Sequence, residues 1–184
     1  MNAGPIAHRY AKALLRYTQE TGRGQKVCSQ ARKLVCQSVL VPGFADAVQR
    51  NPDLPLEQKL ELIAAALGEE PAQDLGRFFQ LVSRQGRLEF FFRMLTAFIG
   101  QYNASMNIKV GTLTTASLQE GLRQRLEKDL SRKTGSEVIL HETTDESLIG
   151  GFVLELDGMR ADGSVADQLR RIRNELVENN NRII

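Results

Sequence analysis

The sequence predicts an α+β protein of two domains: an N-terminal six-helix bundle, then a smaller α/β domain with a short mixed sheet and two helices. Two observations carry that prediction. Apolar residues recur at the helical period from Ile6 to Tyr102, and beyond Ala104 they change to the alternation of strands. Two Asp-Gly pairs, Asp157-Gly158 and Asp162-Gly163, then punctuate the C-terminal part as tight turns do. The expected domains are residues 1–104 and 105–184.

In the first helix, from Ile6 to about Thr18, an apolar stripe of Ile6, Tyr10, Ala13, Leu14 and Tyr17 lies opposite His8, Arg9, Lys12 and Arg16. Gly22 and Gly24 end it. The second helix, near Gln25 to Val39, carries Val27, Ala31, Leu34 and Val35, and Pro42-Gly43 breaks it. Phe44 to Gln49 allows a short third helix before Asn51-Pro52. Pro55 suits the first turn of the fourth, where a missing N–H costs nothing. That helix turns Leu56, Leu60, Ile63, Ala64 and Leu67 inward and stops at Gly68. The fifth, from Pro71 to about Ser83, carries Leu75, Phe78, Phe79 and Val82. After Gly86, the sixth has the strongest stripe in the chain: Leu88, Phe91, Phe92, Leu95, Phe98, Ile99 and Tyr102.

Residues 107–115 are rich in β-branched side chains and read as a strand. A helix follows, with Leu118, Leu122, Leu126 and Leu130 at steps of four and Gly135 as its stop. Glu137–Glu142 and Ile149–Leu156 read as strands, and Asp157-Gly158 returns the chain through Met159 to Ala161. Gly150-Gly151 reads as a bend at the entrance to the third strand rather than a phosphate cradle. Ser164 and Asp167 have the spacing of a capping box. The last helix turns Val165, Leu169, Ile172 and Leu176 to one side, and Asn179–Asn181 reads as a frayed tail.

Composition narrows the chemistry. With 42% hydrophobic and 25% charged residues, the chain has enough apolar side chain to build cores, which excludes disorder as its main state. The longest apolar run, Leu62 to Leu67, falls far short of the ~20 residues that span a bilayer. No N-terminal export pattern is visible, so neither export nor direct membrane insertion is expected. Residues 1–104 hold 13 basic and 9 acidic side chains, and residues 105–184 hold 11 and 13. Neither balance demands nucleic acid as a partner. Cys28 and Cys36 sit eight residues apart on one helix, too far for a disulfide at ~1.5 Å rise per residue, and read as reduced thiols. Two His and two Cys are too few for a metal cluster, no Ser or Cys has a neighbouring base, and no phosphate-binding loop is present. The basic residues near 123–133 and 170–173 are interleaved with acids, as on solvated helix faces. The expectation is an adaptor between proteins with no catalytic residue, no metal and no cofactor. A small helical nucleic-acid-binding factor is the alternative.

Several stretches carry a resemblance. They are Arg9-Tyr10-Ala11-Lys12-Ala13-Leu14, then Asn51-Pro52, Lys59 and Leu81-Val82-Ser83-Arg84-Gln85-Gly86-Arg87-Leu88. Asp145-Glu146-Ser147-Leu148-Ile149-Gly150-Gly151-Phe152 follows, before Asp162-Gly163-Ser164-Val165 and Leu169. This ordered set, over essentially the whole chain, resembles the delta subunit family of the F-type ATP synthase, bacterial relatives of the mitochondrial oligomycin-sensitivity-conferring protein. The resemblance implies a helical bundle followed by an α/β domain. It also implies a non-catalytic part of the peripheral stalk, linking the catalytic head to the membrane-anchored stalk so that rotary proton transport is coupled to ATP synthesis. The implied place is peripheral, on the cytoplasmic face of a bacterial plasma membrane. The implied partners are N-terminal helices of the head's alpha subunits at residues 1–104 and the C-terminal ends of b-type stalk subunits at residues 105–184. Under that resemblance a groove between the first and fifth helices is the expected head site. Ala7 and Ala11 would let a partner helix approach, while Tyr10, Leu14, Phe78, Phe79 and Val82 would supply apolar area. The same seven side chains would also serve as ordinary core.

Overall fold

The computed structural model describes residues 3–51, 54–117 and 121–181. Pro52 and Leu118 therefore lie outside the described residues, as does the side chain of Leu176. The chain divides into two compact units, Met1–Ser105 and Met106–Ile184.

Unit 1 is helical: α1 (Ala3–Glu20), α2 (Gly24–Leu40), α3 (Phe44–Gln49), α4 (Leu56–Leu67), α5 (Gln73–Arg84) and α6 (Phe91–Ser105), with a single 3-10 turn at Leu88–Phe90. Two helix starts fall later than the sequence suggests. Pro55 is the cap of α4 in extended conformation rather than its first residue. Pro71 and Ala72 stay outside α5, where the buried Gln30 of α2 holds the backbone on either side of Pro71: its Oε1 accepts from Ala72 N at 2.7 Å and its Nε2 donates to Glu70 O at 3.1 Å.

The central helix is α6, which packs against both α1 and α2. Its Phe91, Phe92, Met94, Leu95, Phe98 and Tyr102 are buried. The inward face of α1 differs from the expected stripe: it is Ala7, Ala11, Leu14 and Thr18, all buried. Small side chains at the first two positions allow α1 and α6 to approach closely, which Tyr10 and Tyr17 would prevent. Gly24 serves the same purpose at the head of α2, where a Cβ would lie 2.8 Å from the Tyr102 ring. A run of aromatic contacts crosses the unit, from Tyr10 to Phe78 (6.5 Å between centroids), Phe91 (6.2 Å), Phe92 (5.5 Å) and Phe44 (5.8 Å). On α4, Lys59 shares the buried face with Ile63 and Leu67, its four-carbon stem packing as apolar surface.

Unit 2 has β1 (Ile108–Thr115), α7 (Leu122–Thr134), β2 (Glu137–Thr144), β3 (Phe152–Leu156), β4 (Met159–Asp162) and α8 (Val165–Asn181). The strand order is β2-β1-β3-β4, with β1 parallel to β2 and the other pairs antiparallel, a mixed sheet. Leu113, Val138, Leu140, Leu154 and Leu156 form its core, with Leu126, Leu130 and Phe152 packed against them. From α7, Ser131 Oγ and Glu127 Oε1 accept hydrogen bonds from Val138 N (3.0 Å) and Leu140 N (2.9 Å), covering donors that an edge strand would otherwise expose. Gly111 of β1 leaves room for the neighbouring strand: a Cβ there would sit 2.5 Å from Glu155 O. Asp157 (φ 51) and Gly158 (φ 76) both take positive φ, the requirement of a two-residue hairpin turn of type I′.

The third strand begins at Phe152, not Ile149. Gly150 and Gly151 bend the chain so that Gly150 O accepts from Val165 N at 3.0 Å, outside the ladder, and Ile149 stays exposed. Half of the expected capping box forms. Ser164 Oγ accepts from Asp167 N at 3.2 Å, but Ser164 N donates to Asp162 Oδ1 at 2.9 Å, and Asp167 pairs with Arg171 at 2.7 Å instead of reaching back. The backbone of α8 remains helical through Asn181, past the asparagines read as a frayed tail.

Candidate functional site

An open groove of about 550 Å³ runs between α1 and α5. Its lining is Arg9, Tyr10, Ala13, Leu14 and Tyr17 from α1, and Asp74, Arg77, Phe78 and Leu81 from α5. The floor is apolar. Tyr10 meets Phe78 edge-on, Leu14 is buried, and Leu81 is half exposed. Two tyrosine hydroxyls are held in place by arginines. Arg77 Nη1 donates to Tyr17 Oη at 2.7 Å, and Arg87 Nη1 donates to Tyr10 Oη at 2.8 Å while its guanidinium lies 5.5 Å from the Tyr10 ring centre. These bonds tie α5 and the turn after it to α1, so the walls are set before anything enters.

At the start of α5, Asp74 is buried. Its Oδ2 accepts from Thr21 Oγ1 at 2.8 Å, and its Oδ1 faces Arg23 Nη1 at an ion-pair distance of 3.5 Å without accepting a hydrogen bond. A carboxylate in the first turn of a helix is favoured by the helix dipole, which accounts for its place at this end.

Of the residues expected at this groove, Tyr10, Leu14 and Phe78 line it. Ala7, Ala11, Phe79 and Val82 are buried in the bundle and are not part of the lining. The structure therefore gives the two alanines a different neighbour from the expected one: α6 approaches them, as the close packing of α1 requires. Arg9, Ala13, Tyr17, Asp74, Arg77 and Leu81 also line the groove and are not in the expected set. The signal for Leu81 was available, since it stands three residues after Phe78 and off the Leu75–Phe79–Val82 stripe.

In unit 2 the exposed apolar residues include Met106, Ile149 and, on α8, Val165, Leu169 and Ile172, which form a stripe at helical spacing. Met159 on β4 is also exposed.

Conventional catalytic groups do not converge. His8 and His141 are both exposed, one on α1 and one on β2. Among the described residues, no three His, Cys, Asp or Glu side chains are placed to hold a metal ion, and no helix is long and apolar enough to cross a membrane. Burial raises the thiol pKa of Cys28 despite the neighbouring Arg32, which keeps it protonated and unreactive.

Comparison with known proteins agrees with this architecture. A model of the family described as ATP synthase delta (OSCP) subunit matches residues 6–176. The ATP synthase subunit delta of Phocaeicola vulgatus is 36% identical over 186 residues, spanning all of both chains. That of Bacteroides fragilis is 29% identical over 187 residues, also at full length. Among solved structures, a chain in the cryo-EM structure of the Toxoplasma gondii mitochondrial ATP synthase hexamer shares the fold, with a TM-score of 0.61 and 20% identity over 94% of this chain and 97% of that one. The nucleic-acid alternative finds no support in these likenesses. With a whole-length family match and whole-length relatives, the chain belongs to the ATP synthase delta (OSCP) subunit family, and is a structural subunit of the peripheral stalk of F-type ATP synthase, not itself a catalyst.

Proposed function

We propose that unit 1 grips the catalytic head through the α1–α5 groove, which takes the N-terminal helix of an alpha subunit, and that unit 2 takes the C-terminal ends of the b-type stalk helices. The observation that carries the first half is the groove itself: an apolar floor of Tyr10, Ala13, Leu14, Phe78 and Leu81, open to solvent between two helices. An amphipathic helix buries its stripe in such a groove. The exposed stripe of Val165, Leu169 and Ile172 on α8 supports the second half, because a helix with an uncovered apolar face is suited to pack against other helices. The protein then works peripherally on the cytoplasmic face of a bacterial plasma membrane.

The mechanical logic follows from the task. A rotating shaft applies torque to the head, and the holder must resist it without chemistry of its own. Resistance comes from preformed walls, here the Arg77–Tyr17 and Arg87–Tyr10 bonds, and from burying enough surface, about 800 Å² per partner in a standard interface.

Titration of an alpha-subunit N-terminal peptide into the full chain by calorimetry tests the head site. Saturable binding that is weakened at least tenfold by Ala13→Asp, with melting unchanged, is expected. Undiminished affinity in that variant would remove the groove from the head contact.

A further inference from the structure

The rims of the α1–α5 groove carry positive charge that the chain does not neutralise. Arg9 and Arg16 stand two turns apart on α1, and Arg77 and Arg84 two turns apart on α5, so each pair projects from one helix face at a separation of about 10 Å. All four are exposed. Arg9 and Arg77 line the groove, and Arg9 and Arg16 together border the depression beside Ala13 and Tyr17. None of the four belongs to an ion pair among the described residues, whereas Arg23, Lys33, Arg50, Lys109, Arg160 and Arg171 all do. The two helices contribute few acids to offset them. On α1 there is Glu20, which shares the depression with Arg9, Lys12 and Arg16 but forms no ion pair with them, and on α5 only Asp74, which is buried and already faces Arg23. Arg77 uses one donor on Tyr17, and a guanidinium has five.

Resting on the reading that a helix docks here, we infer that the groove selects its helix by charge: the docked helix carries carboxylates flanking its apolar stripe, two turns apart, to meet Arg9 and Arg16 on one rim and Arg77 and Arg84 on the other. A helix with the same stripe and basic flanks would bring like charges together and be rejected, which shape alone would not achieve. Complementary charge also speeds encounter, an effect that salt removes.

Three amphipathic peptides of about 20 residues, sharing one apolar stripe and differing only in flanking Glu, Gln or Lys, test this against the full chain. At low salt the Glu peptide should bind about fivefold tighter than the Gln peptide, the sum of a few exposed pairs, and the Lys peptide weakest. High salt should close the gap. The quadruple variant Arg9→Glu, Arg16→Glu, Arg77→Glu, Arg84→Glu should exchange the ranking of the Glu and Lys peptides, an outcome that loss of structure could not produce. Equal affinities for Glu and Gln peptides, or the Lys peptide binding tightest to the unmodified chain, would overturn charge selection while leaving the groove as a helix site. Binding of none of the three would overturn the groove reading and this inference with it.

Discussion

Two alanines two residues apart on α1 do opposite work. Ala11 is fully buried against the bundle, and Ala13 is exposed in the groove. Ala11→Asp would bury an unpaired charge, which costs several kcal/mol, so its thermal melting should fall sharply or vanish. Ala13→Asp should melt like the parent and lose peptide affinity, and the two measurements on the two variants check the assignment. The sequence did not separate these positions for a physical reason. Ile6, Ala7, Tyr10, Ala11, Ala13, Leu14 and Tyr17 span an arc of about 160° on the helix, wider than the ~100° stripe of one core-facing side, so periodicity alone fits two inward faces. What decides is side-chain size: close helix contact selects the alanines over the tyrosines. At Gly111, a Cβ 2.5 Å from Glu155 O forces the strands apart, so Gly111→Ala should destabilise unit 2 by about 1–3 kcal/mol, read by denaturant titration of the sheet. Asp162 gives a pH test. Its carboxyl is held below its ordinary pKa by hydrogen bonding from Ser164. A lowered folded value stabilises the charged form, so the contribution is complete above about pH 4 and is lost as the pH falls through the folded value. NMR titration should find Asp162 below ordinary aspartates, and Ser164→Pro, which removes the N–H, should raise it.

At the scale of elements, the helices of unit 1 were legible because Gly and Pro punctuate them, and the hairpin because Asp157-Gly158 leaves the chain little choice. The start of β3 was not. Ile149 has the right residue type for a strand, and Gly150-Gly151 reads as a bend; what the local sequence does not carry is that the bend is held by Val165 N at the head of α8, which keeps Ile149 out of the ladder. The groove lining was a third legible: Tyr10, Leu14 and Phe78 declare themselves as apolar, while Arg77 and Arg9 matter only because the fold sets them at the edges. The α8 stripe makes a separate demand. Leu169 is 58% exposed, so Leu169→Asp should leave melting within about 0.5 kcal/mol of the parent. It should also weaken capture of a soluble b-type C-terminal fragment. Full capture by that variant would move the proposed stalk contact to another face of unit 2.

For the molecule as a whole, two units with separate cores suggest separate stability. Limited proteolysis should leave a resistant N-terminal fragment of about 100 residues, cut near Ser105–Met106. Early cuts between residues 10 and 95 would contradict independent folding. A chain ending at Ser105 should keep the alpha-peptide affinity and lose the b-type fragment. The arginine-held tyrosines of the groove have a further, practical consequence. The chain contains three tyrosines and no tryptophan, and Tyr10, Tyr17 and Tyr102 all belong to unit 1. Its intrinsic fluorescence is therefore blind to the sheet. Two of the three emitters have their hydroxyls on Arg87 and Arg77 at the groove. If the proposed helix docks there, excluding water from those rings or drawing Arg77 toward a carboxylate, their emission should change, so the unlabelled protein would report its own occupancy.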